Sequence, residues 1–198
     1  MFKTFNNQFM KFTPMNRFFF VFLFMGLPFM ALAQHENHRV KTDTAKVKPK
    51  SPRLTAMAMV GTNHVHIDYG SPSVRGRTIW NGLVTYNQVW ATGAHKATWI
   101  EFGQDIIIQG EVIPKGKYGF FTIPADKEWT LIISKDWDMH LADDYNEQND
   151  VVRLKTVPNK NATLSESLTY QVKETGNNKG RVSMSWENLT VSFDFKNK

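Results

Sequence analysis

From Leu54 onward the chain reads as short runs of β-branched and aromatic residues separated by turn residues, with little sustained helical periodicity. Strands are expected at Leu54–Val60 and His64–Tyr69, joined by Gly61-Thr62-Asn63, and then at Ala97–Phe102, Asp105–Gln109, Gly119–Ile123 and Trp129–Ser134. The last third continues with Val151–Val157, Ser167–Lys173, Arg181–Glu187 and Thr190–Phe195. About ten strands at short spacing predict an all-β fold, an antiparallel β-sandwich of jelly-roll-like or related type with little helix.

The alternation also assigns faces. Val182, Met184 and Trp186 point one way while Ser183, Ser185 and Glu187 point the other, and Val191, Phe193 and Phe195 repeat the pattern. Asn188-Leu189 between them is expected to turn the chain, making the last two runs a hairpin. Thr130-Leu131-Ile132-Ile133 is apolar on both sides and suits a central strand. Two segments resist a strand reading: Ile79–Trp90, with one short helical turn expected around Trp80-Asn81-Gly82-Leu83, and the polar, acidic excursion Lys135–Asn149.

Upstream the pattern changes twice. Arg17, an apolar run from Phe18 to Met30 broken by Pro28, and Ala31-Leu32-Ala33 form a basic flank, apolar stretch and small-x-small site, so residues 1–33 read as a secretory signal peptide. The expected product is exported, periplasmic or secreted, with no membrane span once the leader is cleaved. Residues 34–53 are polar and charged with almost no apolar side chains, which predicts a flexible tail ahead of a single domain at 54–198.

Charge then narrows the function classes. The formal charge of +6 is concentrated in the leader and tail, and residues 54–198 carry 15 basic against 16 acidic side chains. Such a domain lacks the clustered Lys/Arg that neutralises phosphates, so nucleic acid is excluded as the expected partner. With no cysteine there is neither a disulfide, a thiolate site nor a Cys nucleophile. No Gly-x-Ser-x-Gly, His-Glu-x-x-His, Walker or dinucleotide fingerprint occurs, so no cofactor is expected.

Three constellations remain. Arg75 and Arg77 stand in one loop with Trp80, Trp90, His95 and Trp99 close in sequence, combining anion-fixing guanidinium groups with flat apolar faces. These six are the candidate ligand-binding residues; the competing reading packs the tryptophans in the core and uses the arginines to brace the loop. His64 and His66 share one face of a strand, but a zinc site would need a third ligand, His95, Glu101 or His140, brought from elsewhere, so both are expected to face solvent with no metal bound. The excursion holds Asp136, Asp138, Asp143, Asp144, Glu147 and Asp150, yet Leu141 stands where a calcium loop of the EF-hand type requires Gly, and a solvated loop is expected.

Several phrases, taken in order, resemble the domain of unknown function 2911 family of exported proteins common in Bacteroidota. They are Ser51-Pro52-Arg53, Asp68 to Arg77, Gly82-Leu83-Val84, Val89-Trp90, Thr92-Gly93-Ala94, Pro114 to Pro124, Glu128-Trp129-Thr130 and Trp186-Glu187. The chain departs from that family at Ala91, where Arg is frequent, and at His95-Lys96, where Asn-Glu is frequent. The resemblance implies an exported all-β protein and supplies no mechanism. The resulting expectation is non-catalytic binding of a small ligand, glycan or peptide, with a hydrolase built from loop carboxylates and His, or a structural or assembly protein, as alternatives.

Overall fold

A computed structural model of the chain describes residues 49–198. The expected signal peptide and most of the expected tail lie outside the described residues. Ten strands form two antiparallel sheets, and the sole helical segment among the described residues is one 3₁₀ turn at Glu147–Asn149. The strands are β1 Arg53–Val60, β2 Asn63–Gly70, β3 Trp99–Phe102, β4 Ile106–Ile108, β5 Glu111–Ile113, β6 Gly116–Ile123, β7 Trp129–Ser134, β8 Asp150–Thr156, β9 Asn159–Gly176 and β10 Lys179–Asn197. One sheet has the order β1-β2-β3-β6-β7-β8, a meander from which β4 and β5 depart to form a second sheet of order β5-β4-β10-β9. No helix among the described residues is long and apolar enough to cross a membrane.

The expected antiparallel, two-sheet architecture is present. β7 is buried at all six positions and lies between β6 and β8, as its apolar run requires. Trp129, Leu131 and Ile133 enter the main core, to which the second sheet contributes Leu168, Tyr170, Val182, Met184, Trp186, Phe193 and Phe195. Ile132 points the other way into a small second core with Ala91, Ala97 and Phe121, packed against Met139, Ala142 and Tyr145 of the acidic excursion. The excursion therefore covers one end of the outer face of the six-stranded sheet.

The expected hairpin at Asn188-Leu189 is absent. β10 runs through those residues as one strand paired with β9, and the chain reverses at Asn177 and Asn178, whose φ angles of 45° and 59° suit a two-residue primed turn. What resembled a turn is a change of phase. Inward positions are even-numbered up to Trp186 and odd-numbered from Val191, and register shifts on either side of Glu187, at φ 55°, make the change without reversing the chain. β5 was not anticipated; its signal is Gln109-Gly110, a positive-φ pair between two runs that pair Ile108 with Glu111. The expected helical turn near Trp80 is instead a set of turns in which Leu83 N–H donates to Thr78 O and Gly82 N–H to Ile79 O.

Ordered chain also begins ahead of Leu54. Arg53, grouped with the tail on composition, opens β1, pairs with Asp68 and donates to the carbonyls of Lys96 (2.7 Å) and Ala97 (3.0 Å). Ser71 N–H donates to Pro52 O at 2.8 Å.

Within the excursion, Asp150 accepts a 2.6 Å bond from the Tyr145 hydroxyl and a 3.2 Å bond from Arg153. Burial nonetheless raises its carboxyl above the usual range, outweighing those two stabilising contacts. The fold then holds the Asp150 proton more tightly than the unfolded chain does, so stability present at low pH is lost as pH rises through the folded-state pKa. Asp150→Asn cannot ionise and escapes that loss. Wild type should lose stability relative to Asp150→Asn as pH rises from about 4, the ordinary carboxylate value, through the raised folded-state pKa. Urea unfolding of both proteins across that range checks this, and a wild-type advantage that grows with pH contradicts it.

Candidate functional site

The segment 71–98 carries no long strand, and its conformation is fixed by side chains reaching back to its backbone. Thr92 is fully buried at φ 49°, an unusual conformation for a β-branched residue. Its carbonyl accepts the Tyr170 hydroxyl at 2.8 Å and the Thr98 hydroxyl at 3.0 Å, while its own Oγ1 lies 3.1 Å from Thr122 Oγ1. Burial pushes the Tyr170 hydroxyl well above its ordinary pKa, which keeps it a neutral donor. Trp90 exchanges two backbone bonds with Thr122, and Thr98 N–H donates to Ala91 O at 3.2 Å. Gly70 is required here for space: a Cβ on it would stand 2.1 Å from Ala94 O.

This loop presents Trp90 to a cluster of indoles. Trp90 stacks on Trp186 with centroids 5.8 Å apart, and Trp80 meets Trp129, Trp186 and Trp90 edge-on at 4.8, 5.8 and 6.0 Å. Trp80 Nε1 donates to Glu187 Oε2 at 2.9 Å, Trp90 Nε1 to Gly93 O at 3.1 Å and Trp129 Nε1 to Ala125 O at 2.9 Å. Trp186 Nε1 is buried and has no partner among the described residues. An unmade bond of that kind costs about 1–3 kcal/mol and calls for an explanation.

Trp186 and Trp90 line a cleft of about 390 Å³, together with Leu83, Val84, Arg77, His95 and Leu141. Leu83 is 50 % exposed at this cleft, although its neighbour Val84 is buried. The excursion supplies Leu141, whose N–H donates to His95 O at 2.6 Å. Arg77 donates from Nε to Val74 O at 3.1 Å and from Nη2 to Ser73 O, leaving Nη1 without a partner among the described residues. No carboxylate lines the cleft.

Of the six expected ligand-binding residues, the structure brings Arg77, Trp90 and His95 to this cleft. Trp80 stands behind it as packing. Arg75 braces the loop, donating from Nη2 to Lys50 O, while its backbone N–H donates to Glu166 Oε1 at 2.9 Å. Trp99 projects from the outer face of β3, where it meets His66 edge-on at 4.9 Å and Lys117 Nζ at 4.0 Å. Sequence proximity concealed that strand alternation turns Trp99 away from Ile100 and the core. Trp186, Leu83 and Leu141 were not singled out, and only the turn-rich flanks of Leu83 hinted at its exposure.

The excursion holds a second, more open hollow of about 510 Å³, lined by Asp136, Trp137, Asp138 and Asp144 among others. All of the acids from Asp136 to Asp150 except Asp144 have a partner among the described residues. Asp136 accepts from Asn149 Nδ2 at 2.8 Å, Asp138 faces Lys96 at 3.6 Å, Asp143 contacts His140 at 2.9 Å, and Glu147 and Asp150 share Arg153. Among the described residues no group of three or more His, Cys, Asp or Glu side chains gathers to hold a metal ion.

Residues 51–195 match the family described as Protein of unknown function (DUF2911), and the chain belongs to it. Searches of curated proteins and of solved structures return no match.

The Thr92 node predicts a specific cost. Tyr170→Phe removes one of two donors to a buried carbonyl without opening a large cavity, so it should destabilise the domain by about 1 kcal/mol. Urea unfolding measures it, and an unchanged midpoint would show that the second donor suffices.

Proposed function

We propose that the protein is a non-catalytic binding module, working outside the cytoplasm, whose cleft takes a small ligand with an acceptor group beside a flat apolar face. Acidic sugars and peptide C-termini share that chemistry. The observation carrying the reading is a cleft lined by Trp186, whose buried N–H has no partner among the described residues, and by Arg77, whose Nη1 has none either. A ligand carboxylate or carbonyl satisfies the indole donor and meets the guanidinium, while Trp90 and Leu83 cover its apolar side. The lining favours binding over hydrolysis, because neither a pair of carboxylates nor a carboxylate to orient His95 stands there.

The test is a screen of the full chain against acidic oligosaccharides and against short peptides with free or amidated C-termini, read by ligand-observed NMR. Substitution at Trp90 is a poor probe, since that ring is half buried against the core. Leu83→Arg and His95→Ala alter exposed rim positions instead. Leu83→Arg should abolish binding of any hit and His95→Ala should weaken it, with thermal melting nearly unchanged in both. Hits that bind both variants as well as wild type would place the ligand elsewhere.

A further inference from the structure

The end of the outer face that the excursion leaves bare carries two methionines beside two histidines. In the β1–β2 ladder Met57 stands opposite His66 and Met59 opposite His64. All four share the face opposite the buried Val65 and Ile67. Directly opposed residues have Cβ atoms about 4.5–5.5 Å apart, within reach of one ion for thioether and imidazole arms. The two imidazole centroids lie 6.1 Å apart. Met57 and Met59 are 56 % and 52 % exposed, so neither thioether is needed for packing.

A second observation points to a missing ligand. His66 Nε2 is buried yet makes no hydrogen bond to any described residue, in a ring pressed edge-on against Trp99 at 4.9 Å. On this face His66 is flanked by Met57 on one side and Glu101 on the other, and neither satisfies that nitrogen.

We propose that Met57, Met59, His64 and His66 form a binding site for a soft monovalent metal ion, Cu(I). Two histidines alone fall short of a zinc site, and thioethers do not complete one, since zinc is held by thiolate, imidazole and carboxylate. Thioether and imidazole together are the donor set that selects Cu(I). In a chain without cysteine, methionine is the available soft donor. The site is separate from the cleft and shares no residue with it.

The full chain is titrated anaerobically with Cu(I) in competition with a chromophoric chelator, and with Ag(I) as a redox-inert counterpart. Wild type should take a single tight equivalent of each. Met57→Leu/Met59→Leu should weaken Cu(I) by about tenfold or more, the scale on which metal sites lose affinity when their ligation is disturbed. Zn(II), added in place of Cu(I), should bind tightly to neither wild type nor this variant. If that double variant fails to fold by circular dichroism, the exposed His64→Gln decides in its place and should weaken Cu(I) about as much. The sequence also carries His35 and His38 in the tail. His35→Ala/His38→Ala should therefore keep the tight equivalent. Undiminished Cu(I) affinity in the methionine variant, or loss of all Cu(I) binding in the tail variant, overturns the proposal.

Discussion

The carbonyl of Thr92 is the point on which the cleft depends. Tyr170 reaches it from β9 in the four-stranded sheet, and Thr98 reaches it from the approach to β3 in the six-stranded sheet. A β-branched residue at positive φ carries roughly 1–3 kcal/mol of strain and persists only where its surroundings over-determine it. Here two hydroxyls from two sheets hold the carbonyl, and Thr122 holds the side chain. Released from them, the backbone from Trp90 to His95 has no ladder of its own to return to. The knot thus converts the packing of two sheets into a fixed position for the aromatic wall of the cleft and its imidazole rim.

A second division of labour falls across the outer face of the six-stranded sheet. At one end the excursion Lys135–Asn149 seats Met139, Ala142 and Tyr145 on Phe121 and Ile132. The same segment delivers Leu141 to the cleft, so a loop that composition marks as solvated is part of two packed structures. Asp136, Asp138 and Asp143 are tied to Asn149, Lys96 and His140, and Glu147 and Asp150 to Arg153, which disperses most of the charge that suggested calcium. At the other end Met57 and Met59 are 56 % and 52 % exposed, and His66 packs edge-on against Trp99.

Most strands were legible because their burial follows period-two alternation, and β7 because it is buried on both sides. The failures have physical causes. A bulge and a turn look alike in sequence when each shifts the phase of alternation, and only the pairing of Glu187 with Ser165 and of Leu189 with Lys160 tells them apart. Half of the expected site converged because Arg77, Trp90 and His95 lie on one irregular segment, whereas Trp99 had already entered a strand whose pleat turns it outward. The methionine–histidine patch was half visible: the spacing of His64 and His66 shows in the sequence, but the opposition of Met57 and Met59 depends on the register of a ladder.

The bulge in β10 also bears on the one indole of the tryptophan cluster whose N–H finds no partner among the described residues. By changing phase it keeps Trp186 inward beneath Trp90 and turns Glu187 toward Trp80. Glu187, beside this indole cluster, accepts the Trp80 N–H through Oε2 and, through the same oxygen, the Asn188 backbone N–H at 2.9 Å. Trp80, Trp90 and Trp129 are therefore satisfied inside the fold, and Trp186 is the indole whose N–H is not. Folding alone gains nothing from that arrangement, because a buried donor without a partner is a net cost. The fold carries that cost at the position where the bulge changes the phase of β10.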